Sequence, residues 1–442
     1  MVATLSTANS TQLERDARLI NARGHEVRPS DIAVGVIIGR ASEFFDFFVY
    51  AIASVLVFPA VIFPYVDALT GTLYSFAVFA LAFVSRPLGA LLFIWLDRNY
   101  GRGVKLTIAM FLLGGSTAAM AFLPNYTQVG AVAVALLALF RLGQGFAQGG
   151  TWDGLPSLLS LNAPASKRGF YAMIPQLGAP IGLFVASAVF AFLLSTLSPA
   201  DFLDWGWRYP FFVAFVINVV ALFARLRLIS TPEFERLYET QELQPTPVGK
   251  LFREEGRTVV LGAFAPLASF ALFHLVTVFP LSWVVLKGEP AVHFLMIELV
   301  GAAVGLLAVV FSGYIADRIG RRTLLGVSAA FIAAYSGFAP QLLGTGSTGE
   351  WVYMIIGFIL LGLSFGQSSG AVNSSFSAKN RYTGAGTTAT ASWFIGAAFA
   401  PFAALLLASE FGLLAVGGYL LSGAVCTLVA LGINRELGKK ES

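Results

Sequence analysis

The chain has 442 residues, 57% of them hydrophobic and 12% charged, with 45 glycines, 40 phenylalanines and a formal charge of +4. A soluble domain carries about 25% charged residues, so this composition excludes a globular surface. The apolar stretches run along the whole chain, which also excludes a soluble domain with one anchor.

Inside a bilayer only α-helices and closed barrels satisfy every backbone group. Barrel strands read as alternating segments of about 10 residues, whereas these apolar runs are long and continuous. The expectation is an all-α polytopic membrane protein. Its lysines and arginines fall in short clusters between apolar runs, as topology signals do, so no nucleic-acid partner is expected. The lone Cys426 sits in an apolar stretch and supplies neither a disulfide nor a metal site.

Residues 1–30 are polar, lack the apolar core of a signal peptide, and are expected to form a cytosolic tail with some helix over Gln12–Ala22. A span needs about 20 mostly apolar residues. Twelve stretches qualify: 32–56, 69–95, 104–123, 128–150, 169–195, 209–228, 258–285, 292–315, 323–344, 351–373, 384–408 and 412–433. Breakers such as Pro124, Asn125, Pro164 and Gly344 separate them. The longest connection, 229–257, is polar and divides two six-helix bundles, 31–228 and 258–434, followed by a tail at 435–442.

Of the 28 Lys and Arg residues, Arg40, Arg86 and Arg141 are counted inside spans, and Arg208 and Lys287 in odd-numbered loops. The others lie in the tails, in the even-numbered loops or, as Lys105, Arg225 and Arg227, at the span ends that border those loops, which places both termini in the cytoplasm of a multi-pass inner (plasma) membrane protein. Two pairs of fragments recur at nearly one offset. Gly313-Tyr314-Ile315-Ala316-Asp317-Arg318-Ile319-Gly320-Arg321-Arg322 follows span eight, and Asp97-Arg98-Asn99-Tyr100-Gly101-Arg102 follows span two, with their glycines 219 residues apart. Arg168 and Arg381 follow spans four and ten, 213 apart. Duplicated halves of this kind are common in secondary transporters.

The Gly313–Arg322 stretch resembles the loop signature of the major facilitator superfamily. Within it, four segments resemble the metabolite:proton symporter family: Glu43-Phe44-Phe45-Asp46 in span one, Ser85-Arg86-Pro87-Leu88-Gly89 in span two, Arg141-Leu142-Gly143-Gln144-Gly145 with Gly149-Gly150 in span four, and Gly206-Trp207-Arg208 before span six. Two shorter matches add to these: Thr231-Pro232 after span six and Arg381-Tyr382-Thr383-Gly384 before span eleven. The resemblance implies the major facilitator fold, twelve transmembrane helices in two six-helix halves. It also implies a gating latch in which Asp317 pairs with Arg318, Arg321 and Arg322 beside Gly313 and Gly320.

Departures from the family pattern carry expectations of their own. An extra residue before Gly101, and Ile94 where a glycine is usual, weaken the counterpart latch at Asp97 and Arg102. Thr151, Leu161 and Ser374 stand at positions that are usually acidic, although Asp153 is close to the first.

An ionisable side chain deep in a span costs about 2.5–3.5 kcal/mol even on the gentler scale. Arg40, Glu43, Asp46 and Tyr50 share one face of span one. That face is expected either to line the cavity, with Glu43 or Asp46 taking up a proton, or to hold a structural Arg40–Glu43 pair. Arg141 either tunes a carboxylate or neutralises an anionic substrate, or stays paired with an acid of span one. Arg86, next to Pro87, serves equally as a gating pair or a ligand group.

His274, central in span seven, has the chemistry of a proton carrier or of a satisfied hydrogen-bonding residue. Glu298 is expected to meet water near the outer end of span eight. Gln367, Ser368, Ser369, Asn373, Ser374 and Ser375 form a polar stripe, and Trp152, Asp153, Gln367 and Trp393 are assigned to the cavity wall. Gly178, Pro180 and Gly182 mark a kinked, closely packed span five.

The function implied is secondary transport of a small organic solute, a carboxylate or zwitterion, with proton symport, by a monomer without cofactor. Uniport or exchange is the rival. A membrane enzyme would need clustered carboxylates or histidines, and His25, His274 and His293 lie far apart in sequence; a sensor would retain the scaffold without transport.

Overall fold

The computed structural model describes residues 29–151, 159, 163–229, 244–369 and 375–434. Among these, ten helices are long and apolar enough to cross a membrane: α2 (Ala68–Tyr100), α3 (Arg102–Ala121), α4 (Ala131–Gln148), α5 (Arg168–Thr196), α6 (Gly206–Arg227), α7 (Val248–Leu286), α8 (Ala291–Ile319), α10 (Ser347–Phe365), α11 (Lys379–Phe411) and α12 (Leu413–Ile433). The other two occupy expected positions. One is α1 (Pro29–Leu56), whose middle carries Arg40, Glu43 and Asp46. The second, α9 (Arg321–Ser336), has 16 residues and resumes after a break as Ala339–Leu342. Together they make the twelve-span bundle.

Breaks fall where the sequence cannot continue a helix. α7 is interrupted at Ala265-Pro266 and again at Val278, before Pro280. α11 breaks between Gly396 and Ala400, before Pro401. The polar stretch expected as a loop up to Arg257 is helical from Val248 but breaks at Glu255 (φ −138°, ψ 27°), so a short polar helix precedes the apolar span, which begins close to where its apolarity suggests.

The pairing of helices repeats under a shift of six. α1 packs on α5 and α6, α2 on α4, and α3 on α6; α7 packs on α11 and α12, α8 on α10, and α9 on α12. The duplicated glycines agree with this. Gly101 joins α2 to α3 and Gly320 joins α8 to α9, at φ of 86° and 84°, a backbone region that favours glycine. Gly178 and Gly182 lie so close to the backbone of α1 at Arg40–Ala41 and Phe44–Phe45 that a Cβ would overlap it, which bears out the close packing of span five.

The halves meet mainly along α5 and α8, with further contacts between α2 and α11 and between α1 and α7. Their shared core is aromatic: Phe44, Phe47 and Phe48 of α1 face Phe273 of α7, Phe365 of α10 and Trp393 of α11.

Candidate functional site

Three polar systems lie around this aromatic core. The first belongs to the N-terminal half. Asp46 is 1% exposed and forms no ion pair with any described residue. The Thr117 hydroxyl of α3 lies 2.6 Å from its Oδ1. Gln144 of α4 donates to Thr117 at 2.8 Å and accepts from the Arg141 guanidinium at 3.0 Å. Arg141 also donates to the Phe79 carbonyl, and its guanidinium carbon sits 3.9 Å from the Tyr50 ring centroid. A chain of four side chains on three helices thus connects a carboxyl to a buried cation. Tyr50, expected in the cavity wall, is fully buried beneath Arg141 because the turn at Phe58 and the ring of Phe79 cover it.

The second system is ionic. Glu43 bonds Arg40 through one oxygen and Arg225 of α6 through the other, each at 2.5 Å. Arg225 is 2% exposed and lies inside the bundle, where the sequence reading groups it with the loop residues. It also donates to the Thr151 carbonyl at 2.9 Å. Glu43 is thus held by two guanidinium groups, the expected Arg40–Glu43 pair among them, whereas Asp46 one turn on has only neutral hydrogen-bond partners among the described residues.

The third is the space between the halves. A cavity there is lined by Arg40 and Arg86 from one half and by Phe270, Ser368, Ser369, Ser392 and Trp393 from the other. A second space reaches Glu43, Phe47, Gln148 and Thr151 along the same two arginines and Trp393. Arg86 has no ion pair with any described residue and its Nε is buried without a hydrogen-bond partner. Three guanidinium groups, Arg40, Arg86 and Arg225, therefore face one carboxylate, Glu43. The ring of Phe47 lies between this cavity and Arg141, whose guanidinium carbon is 5.9 Å from its centroid.

Other expected site residues fall elsewhere. His274 is fully buried with neither nitrogen bonded to a described residue, boxed by Phe47 at 5.5 Å, Phe79 at 5.4 Å and Phe273 at 5.3 Å. Gln367 does not face the cavity. It is buried and donates to the Gly169 carbonyl of α5 and to Ser312 of α8, bridging the halves. Glu298, expected in water, is fully buried because α5 packs over it. Trp152, Asp153, Leu161, Asn373, Ser374, Thr231 and Pro232 lie outside the described residues, as do the tail at 1–28 and residues 435–442.

The latches differ from expectation in both halves. Asp317 accepts from the amides of Gly169 at 2.6 Å and Phe170 at 3.2 Å, at the start of α5, rather than from the arginines of its own motif. Those N–H groups lie at a helix N-terminus, where the backbone attracts an anion. Arg322 instead donates to the Leu431 carbonyl of α12, and Arg318 is exposed. Asp97, expected to be weakened, is 1% exposed, pairs with Arg102 at 3.4 Å and Lys105 at 3.3 Å, and accepts from Tyr382 of α11 at 3.0 Å. The inserted residue carries α2 three residues past Asp97, against two past Asp317 in α8. Arg208 of the span-six motif donates to the Ala121 and Leu123 carbonyls, closing the end of α3.

The Major Facilitator Superfamily model matches residues 44–392. An inner membrane metabolite transport protein of Escherichia coli K12 is 36% identical over 441 residues, covering 98% of each chain. A shikimate transporter of the same organism is 30% identical over 425 residues, covering 93% of this chain and 96% of its own. The crystal structure of a D-xylose–proton symporter superposes with a TM-score of 0.70 at 17% identity, covering 92% of this chain and 97% of that one, a likeness of fold. The protein is a multi-pass membrane transporter, not an enzyme, and belongs to the major facilitator superfamily, among its metabolite transporters.

Proposed function

We propose that the protein moves a small organic anion together with a proton, by rocking the bundles 31–228 and 258–434 about the central cavity with both termini in the cytoplasm. The observation that carries this reading is the separation of two sites by one aromatic ring. On one side of Phe47 lies an arginine-rich cavity; on the other lies a carboxyl with no ion pair, joined to Arg141 through neutral side chains.

Asp46 and Thr117 can hold a proton in two ways. The Thr117 hydroxyl lies 2.6 Å from Asp46 Oδ1 and 3.0 Å from the Leu113 carbonyl, and it has one hydrogen. With Asp46 protonated, the carboxyl donates to Thr117 and Thr117 donates to Leu113. With Asp46 ionised, Thr117 turns its hydrogen to the carboxylate. Either state is hydrogen-bonded, so the site accepts and releases a proton without leaving Thr117 unsatisfied.

The cavity suits a carboxylate, which a guanidinium binds with charge-assisted hydrogen bonds, while Trp393 and Phe270 supply an apolar wall. The similarity to a shikimate transporter supports an anion of this kind. Flux into proteoliposomes tests the reading with carboxylates, zwitterions and neutral sugars of matched size, with and without an inward acid gradient. Acid-driven uptake confined to anions supports it; gradient-independent flux replaces symport with uniport or exchange.

A further inference from the structure

Glu298 is the one buried carboxylate on the α5–α8 contact among the described residues, and neither site above uses it. Its side chain has no solvent exposure. Ser187 of α5 donates to Oε2 at 2.9 Å across the half interface, and Oε1 is buried without a partner. Other ionisable groups around α8 include Arg168 and Tyr171 on α5, His274 on α7, Lys287 and Glu289 between α7 and α8, Tyr335 on α9, Glu350 and Tyr353 on α10, and His293 on α8 itself. None is its hydrogen-bond or ion-pair partner; Tyr353, for one, donates to the Leu275 carbonyl. Glu298 lies seven residues from the Ala291 end of α8, about 10 Å along the helix, at the level where separation of α5 and α8 opens that end of the bundle.

An unpaired carboxylate cannot be kept dry without heavy cost, whereas the neutral acid can. The closed contact therefore holds Glu298 as the acid. When α5 and α8 part at that end, the carboxyl meets water and its proton leaves to solvent; closing takes one up. We propose that Glu298 is a second proton-exchanging group, which couples its own protonation to closure of the α5–α8 contact. This rests on the rocking motion of the reading above, and not on proton symport.

The test uses the full chain in lipid nanodiscs, with Cys426→Ser and Ala191→Cys. Ala191 is buried one turn from Ser187 on the same face of α5. Its rate of labelling by a water-soluble maleimide reports opening, normalised to Glu410→Cys at an exposed position to remove the reagent's own pH dependence. Between about pH 5 and pH 8 the normalised rate is expected to rise, by at most about tenfold per pH unit for one linked proton. In Glu298→Gln it stays at the low-pH value throughout. Asp46→Asn keeps the rise, and Ser187→Ala, which weakens the closed contact, raises the rate several-fold at every pH while preserving the slope. A Glu298→Gln protein with the wild-type pH profile overturns the proposal, as does a flat profile in the starting protein. A transporter that moves no proton with its substrate leaves these labelling results unchanged, so the two readings fail separately.

Discussion

Tyr382 of α11 donates its hydroxyl to Asp97 of α2 at 3.0 Å, joining the two halves at the end where α2 turns into α3. Lys105 donates to the same hydroxyl at 2.8 Å, and the Arg102 guanidinium carbon stands 4.3 Å from the ring centroid. The repeat places Tyr382 where the other half has Gly169, whose amide binds Asp317. One half thus closes on a backbone amide and the other on a phenol. Tyr382→Phe removes the hydroxyl but keeps the ring over Arg102. A hydrogen bond to a charged group is worth about 1.5–3 kcal/mol, so closure at this end should weaken about tenfold or more. Spin labels at Arg98→Cys and Lys379→Cys, in a Cys426→Ser background, should show a larger population of long distances in Tyr382→Phe; an unchanged distribution contradicts the latch.

Glu43 and Asp46 are expected to part company when neutralised. Glu43→Gln loses charge-assisted bonds to Arg40 and Arg225, each worth about 1.5–3 kcal/mol, and should lower the thermal midpoint by several degrees. Asp46→Asn keeps the size of the side chain and removes no ion pair, so its midpoint should stay near the starting value. Thermal-shift measurements on both purified variants check this; equal losses would mean that Asp46 is as structural as Glu43.

Arg86 is the cavity guanidinium without an ion pair among the described residues. Arg86→Gln should raise KM for an anionic substrate about 10- to 100-fold, the equivalent of about 1.4–2.8 kcal/mol, with little effect on folding. Arg86→Lys should fall between, because an ammonium keeps the charge and loses the planar fork. Unaltered KM in Arg86→Gln would move the anion site elsewhere.

Much of this architecture is readable in the chain. The spans announce themselves by length and apolarity, and the Gly101/Gly320 and Arg168/Arg381 pairs, at nearly one offset, expose the duplication. Asp46 stands out because a carboxylate in an apolar helix is costly. Its partners do not: Thr117 and Gln144 are neutral, and only the packing of α3 and α4 on α1 singles them out. Arg225 reads as a loop arginine because it lies near the end of an apolar stretch, while its partner Glu43 is 182 residues away. Glu298 reads as wet because its burial depends on α5, which no local pattern in α8 encodes. Asp97 keeps its motif partner Arg102 and adds Tyr382, a partner 285 residues away that no local pattern in α2 encodes.

The most direct test of proton-coupled transport follows the internal pH of proteoliposomes when an anionic substrate is added outside. The account predicts internal acidification with substrate entry in the starting protein. In Asp46→Asn, acidification and uphill accumulation are lost while exchange of labelled for unlabelled substrate persists, because the arginine cavity is intact. Substrate-driven acidification that survives in Asp46→Asn would contradict it.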